Sequence, residues 1–148
     1  MAIFVVVPAA GGGSRFGGGL PKQYADLAGA PLIARTLDRL AAVDAAATLV
    51  ALAQDDALFE RMVSPRAAVA ALRCGGATRA DTVRNTLAVL AARCGRDDWI
   101  LVHDAARPCV PREALLRLVQ EVGDDAVGGL LAIPVADTLK RAAAGDSP

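Results

Sequence analysis

Lysine is nearly missing from this chain. Of 16 basic residues only Lys22 and Lys140 are lysines, leaving 14 arginines. Under a bias that replaces surface Lys by Arg, each surviving Lys becomes a better functional candidate than usual. Aromatic residues are scarce too, at 3% of the chain, while Ala, Val and Leu dominate. That composition suits helices packed on a buried sheet better than a sandwich of aromatic-rich strands. There is no run of Lys or Arg and the formal net charge is zero, so a nucleic-acid footprint is not expected. The three cysteines, Cys74, Cys94 and Cys109, share no CxxC spacing, and an odd count does not complete a disulfide framework. Reduced thiols follow. The apolar start lasts a few residues, lacks a charged lead and runs into glycines without a convincing cleavage site. The protein is therefore expected to be soluble and cytoplasmic, with neither nucleic acid nor membrane as partner.

What is present alternates regularly. At 148 residues the chain reads as a single domain without repeats or linkers, apart from a polar end, "AAAGDSP". Ile3 to Val7 is an unbroken β-branched and aromatic run, the pattern of a central strand covered on both faces. Ile33, Leu37 and Leu40 recur at helical spacing behind Pro31, predicting a helix to about Val43. Thr48 to Ala53 and Val69 to Cys74 predict two more strands, with a short helix around Ala57 to Met62 between them. Val83, Leu87 and Leu90 give the next helical stripe, with Thr78 or Asp81 as its cap. "WILVHDA" predicts a fourth strand, Pro111 opens a helix carrying Leu115, Val119 and Val122, and "GGLLAIPV" predicts a fifth strand. Alternating strands and helices imply an α/β, doubly wound, mostly parallel sheet with helices on both faces.

Ligands of such sheets sit outside the carboxyl ends of the strands. Three loops with unusual chemistry fall there: Pro8 to Tyr24, Gly75 to Asp81, and His103 to Pro108. The first, "PAAGGGSRFGGGLPKQY", contains six glycines, a heavy entropic cost unless the backbone approaches something closely. A phosphate is the usual partner. A Walker loop is excluded, because Lys22 follows Pro21 and precedes Gln23. A dinucleotide loop fits loosely: Gly11, Gly13 and Gly17 form GxGxxxG, with Phe16 where the third glycine belongs. What remains is a nest of exposed amides carrying Arg15 and Lys22, suited to wrapping a triphosphate. The alternative is a flexible surface turn. Likewise Gly75 and Gly76 can be a mere strand-to-helix turn, and Asp104 a cap for the turn after it.

In order and spacing, "PAAGGGSRFGGGLPKQY", "GGATRADTV", "VHDAARP" and "PVADTLKR" resemble the 2-C-methyl-D-erythritol 4-phosphate cytidylyltransferase family over nearly the whole chain. The resemblance implies a Rossmann-like nucleotidyltransferase fold, with the central strand order 3-2-1-4, and a reaction of CTP with a polyol phosphate, giving CDP-methylerythritol and pyrophosphate. It implies nucleotide contacts from Pro8, Ala9, Ala10, Gly11 and Gly12, and triphosphate contacts from Arg15 and Lys22 as the catalytic cations. Mg²⁺ or another divalent cation would neutralise the same oxygens. Gly75, Gly76 and Thr82 would complete the base pocket, although Ala77 stands where many members carry an acid, a departure that bears on how base or ribose is held. Asp104 would meet the methylerythritol hydroxyls and lie near the metal, directly or through water. His103 would orient by hydrogen bonding, and Arg107 would tie the loop down.

Residues 136–148 resemble the start of a protruding β-arm that makes a homodimer, with Thr138 reaching substrate across the subunit boundary and Lys140 in substrate or arm contacts. Relatives continue beyond Pro148, so the nucleotidyltransferase domain is expected to be C-terminally incomplete. Three other readings stay open: a ribitol-phosphate cytidylyltransferase, a nucleotide-binding fragment without catalysis, and an NADP-binding Rossmann reductase.

Overall fold

The computed structural model describes residues 1–12 and 19–138. Arg15 and Lys140, together with Gly13, Phe16, Gly17 and most of the expected arm, lie outside them. The described elements are β1 (Ile3–Pro8), a 3-10 turn (Lys22–Tyr24), α1 (Leu32–Leu40), β2 (Ala47–Ala51), α2 (Phe59–Met62), β3 (Val69–Leu72), α3 (Arg79–Leu90), β4 (Trp99–Val102) and α4 (Arg112–Val122). The sheet has four strands, all parallel as the alternation predicts, in the expected order β3-β2-β1-β4.

β1 is central because its side chains suit burial on both faces. Val5 and Val7 point into a cluster with Ile33, Leu37 and Leu40 of α1, Phe59 of α2 and Leu115 of α4. Phe4 and Val6 point the other way, onto Leu49 and Leu90 of α3. Helices thus cover both faces. Pro31 stands as the residue before the first turn of α1, and Pro111 does the same for α4. Thr78 caps α3 by accepting the Asp81 amide at 3.0 Å.

Two expectations are corrected. α3 buries Thr82, Thr86 and Leu90, whereas Leu87 is 37% exposed and Val83 only half-buried. Hydrophobic periodicity counts threonine as polar, yet here each hydroxyl is satisfied within the helix: Thr82 donates to Thr78 O at 3.0 Å and Thr86 to Thr82 O at 2.7 Å. Their methyl groups are thereby free to pack. The second correction is "GGLLAIPV", which forms no strand. A strand requires a neighbouring ladder, and none of the four strands pairs with this segment, so Leu130, Ile133 and Val135 are exposed.

Leu90 is the fully buried apolar contact by which α3 holds its face of the sheet. Leu90→Ala is expected to cost about 2–5 kcal/mol, and Val89→Ala on the exposed side no more than about 0.5 kcal/mol. Urea denaturation of the two variants measures the difference, and equal costs would show that α3 is anchored elsewhere.

Candidate functional site

The loops after β1, β3 and β4 meet at one end of the sheet, and specific contacts join them. The first junction depends on a missing side chain. Gly75 donates its amide to Leu52 O at 2.9 Å, and a Cβ placed on it would overlap the Cβ of Ala10 and come within 2.7 Å of Leu52 O. Only glycine lets the β3 loop lie this close to the β1 loop. Gly76 is pressed against Asp81 in the same way, and its amide is taken by Thr82 Oγ1 at 3.0 Å.

These contacts decide what each expected nucleotide residue can offer. Thr82 is 2% exposed, with its hydroxyl spanning Gly76 N and Thr78 O, so it shapes the turn from inside and does not present a hydroxyl outward. The Gly75 and Gly76 amides are committed inward as well. Pro8 ends β1, in register with Ala51, and Ala9 is buried, its amide donated to Ala51 O at 2.8 Å. Gly11 and Gly12 are exposed, with open space where side chains would be. Lys22 is exposed at the head of its 3-10 turn.

The second junction is ionic. Asp104 holds two arginines: Oδ1 lies 2.8 Å from both Nε and an Nη of Arg79, and Oδ2 lies 2.8 Å from Nε of Arg107. Arg79 opens α3, so this pair ties the β3 loop to the β4 loop. Exposed pairs add little stability, about 0–1 kcal/mol. Their value here is orientation, and two guanidiniums against one carboxylate leave an excess of positive charge for an anionic ligand. The loop is also fixed from below, where the buried Thr36 hydroxyl donates to Ala105 O at 2.8 Å. His103 donates its amide to Val6 O at 2.9 Å. Its ring Nδ1 lies 3.0 Å from Asp104 O, and burial lowers its pKa below the usual histidine value, with the Asp104 carbonyl opposing. That suits a neutral, orienting imidazole. A cavity of about 880 Å³ beside β4 is lined by Arg79 and Asp104 together with Trp99, Leu118 and Val122.

Arg79 went unmarked in the sequence. The signal available was an arginine in the first helical turn, where a cation opposes the helix dipole and so needs another reason to be there. Thr138 is exposed at the edge of the described residues, its amide donated to Asp137 Oδ1 at 2.7 Å. Cys74, Cys94 and Cys109 are free. Among the described residues no group of three His, Cys, Asp or Glu side chains could hold a metal, and no helix is long and apolar enough to cross a membrane.

The Gly75 contact makes a direct test of loop packing. Gly75→Ala is expected to destabilise the protein by about 1–3 kcal/mol through overpacking. Gly12→Ala, facing open space, should stay within about 0.5 kcal/mol. Indistinguishable denaturation curves would remove the Gly75 and Ala10 contact as a constraint.

Comparison with known proteins agrees with this geometry. The 2-C-methyl-D-erythritol 4-phosphate cytidylyltransferase (IspD) family model matches residues 3–147. The protein of that name from Laribacter hongkongensis is 59% identical over 142 residues, covering 95% of this chain and 61% of the relative. The one from Thiobacillus denitrificans is 49% identical, covering 97% and 63%. Among solved structures, a crystal structure of 4-diphosphocytidyl-2C-methyl-D-erythritol synthase superposes with a TM-score of 0.84 at 38% identity, covering 98% of this chain and 65% of that one. The Francisella tularensis 2-C-methyl-D-erythritol 4-phosphate cytidylyltransferase gives 0.78 at 29% identity. This chain spans about three fifths of the length of the curated relatives it matches. With a family match across residues 3–147 and a fold that superposes on solved members, the chain belongs to the 2-C-methyl-D-erythritol 4-phosphate cytidylyltransferase family.

Proposed function

We propose that this chain carries the nucleotide half of an enzyme that transfers a cytidylyl group from CTP to 2-C-methyl-D-erythritol 4-phosphate. The observation that carries this reading is the convergence of the three loops through Gly75 on Ala10 and through Arg79 on Asp104, in a member of that family. A phosphate oxygen of the polyol phosphate attacks the α-phosphorus of CTP. The new P–O bond forms as the bond from the α-phosphorus to the β-bridging oxygen breaks, and pyrophosphate leaves. No general base is required, because the attacking phosphate is already ionised. Arg15 and Lys22 oppose the charge that builds on the equatorial oxygens and the leaving group, a service worth more in the transition state than in the ground state.

The amides of Gly75 and Gly76 are spent inside the protein, so carbonyl oxygens are the backbone groups with which this turn would meet the base. Carbonyls accept from the exocyclic amine of cytosine, whereas uracil presents an acceptor there. Asp104 suits vicinal hydroxyls once one guanidinium yields. It does not suit a metal as arranged, since both oxygens are held by arginine. Mg²⁺ favours phosphate oxygens and water, so in this reading it arrives on the triphosphate as part of the substrate. The cytoplasm, where three free thiols stay reduced, and a homodimer formed through the segment from residue 136 onward complete the proposal.

Two measurements test it. In calorimetric titration CTP is expected to bind at least about tenfold more tightly than UTP, the cost of one unpaired buried polar group, and more tightly than ATP. Equal affinities would remove the backbone reading of the base. In the full-length protein, CTP and 2-C-methyl-D-erythritol 4-phosphate should release pyrophosphate, and Lys22→Met should lower turnover roughly 10²–10³-fold, with stability changed by less than about 0.5 kcal/mol. Full-length protein without turnover, or a Lys22→Met variant at the parent rate, would overturn the corresponding assignment.

A further inference from the structure

Lys22 stands on very little helix. Its 3-10 turn is three residues long and has two internal bonds, Tyr24 N to Pro21 O at 2.8 Å and Ala25 N to Lys22 O at 3.1 Å. Turns of this kind do not hold themselves in place. The next two side chains hold it. Gln23 is buried and donates from Nε2 to Ala9 O at 2.9 Å, and Tyr24, 1% exposed, donates from its hydroxyl to Asp56 Oδ2 at 2.6 Å.

Asp56 is itself built in. Its Oδ1 accepts the amides of Leu58 at 2.9 Å and Phe59 at 3.1 Å at the start of α2. Its carbonyl accepts from Arg73 at 2.9 Å, and Arg73 grips both oxygens of Glu60 at 2.8 and 2.9 Å. A chain of bonds therefore runs from the Lys22 turn through α2 to the end of β3. Phenylalanine would fill the core volume of Tyr24 equally well. The hydroxyl adds one directed, charge-assisted bond, and that bond fixes where the turn sits.

We infer that the bond from buried Tyr24 to half-buried Asp56 is a positioning device for Lys22, setting the distance of its ammonium from the transferring phosphoryl group. The inference rests on the proposed role of Lys22 in charge stabilisation. Displacements of about 1 Å, caused well away from the reacting atoms, lower rates by up to about 10²-fold. Burial, reinforced by the Asp56 carboxylate, raises the Tyr24 phenol pKa far above its ordinary value, so it stays a donor at any working pH.

The test is a mutant cycle in the full-length protein, read as pyrophosphate release from CTP and 2-C-methyl-D-erythritol 4-phosphate. Tyr24→Phe and Asp56→Asn are expected to lower kcat about tenfold while KM for CTP stays within about twofold, because the loss falls on the transition state alone. Lys22→Met combined with Tyr24→Phe should be no slower than Lys22→Met, since a group acting only through Lys22 has nothing left to position. Tyr24→Phe at the parent kcat, with only a lower denaturation midpoint, would reduce the pair to a structural bond and overturn the inference. Multiplicative losses in the double variant would overturn it as well. If Lys22→Met keeps the parent rate, the role of Lys22 falls first and this inference with it. A strongly impaired Lys22→Met beside an unimpaired Tyr24→Phe defeats the positioning role alone. Should Tyr24→Phe fail to fold, Asp56→Asn carries the same comparison, since its amide oxygen still caps α2.

Discussion

Every other element is placed relative to β1, whose backbone is bonded to a parallel neighbour on each edge while Val5, Val6 and Val7 are fully buried. Parallel neighbours require crossovers, and the crossovers are the helices that cover the two faces. Because all four strands run the same way, their carboxyl ends fall together. The loops that leave them have no choice but to meet.

That meeting is made specific by small contacts. At Gly75 and Ala10 it is an absence of volume, and at Arg79, Asp104 and Arg107 it is a balance of charge. The two kinds of contact behave differently. Packing against Gly75 is rigid, since backbone atoms of Leu52 and Ala53 form the wall. The ion pairs are largely exposed on the arginine side, cheap to rearrange, and oriented. The candidate site therefore combines a fixed floor with a rim that can yield.

Much of this was legible in the residues. The run Ile3 to Val7 announces a central strand, and the glycine pair at 75 and 76 marks a turn from strand to helix, whose close packing on Ala10 only the structure shows. Thr82, Thr86 and Leu130 mislead for opposite reasons. Threonine reads as polar, yet its hydroxyl is satisfied within its own helix and its methyl packs; leucine in a β-branched neighbourhood reads as strand, yet finds no ladder. Arg79 was invisible because its importance comes from Asp104, 25 residues away.

By itself the sequence determined the parallel α/β architecture, the family, and the three loops that meet at the carboxyl ends of the strands. These follow from local patterns and motifs, and periodicity and spacing record them directly. Only the tertiary structure decided which polar groups face inward. Thr82 and the two glycine amides are spent on holding the turn, Asp104 is shared between two arginines, and Tyr24 reaches Asp56 from 32 residues away. A hydrogen-bonding group can serve the fold or a ligand, and the choice depends on which partner comes within about 3 Å after packing, a distance that no linear spacing encodes.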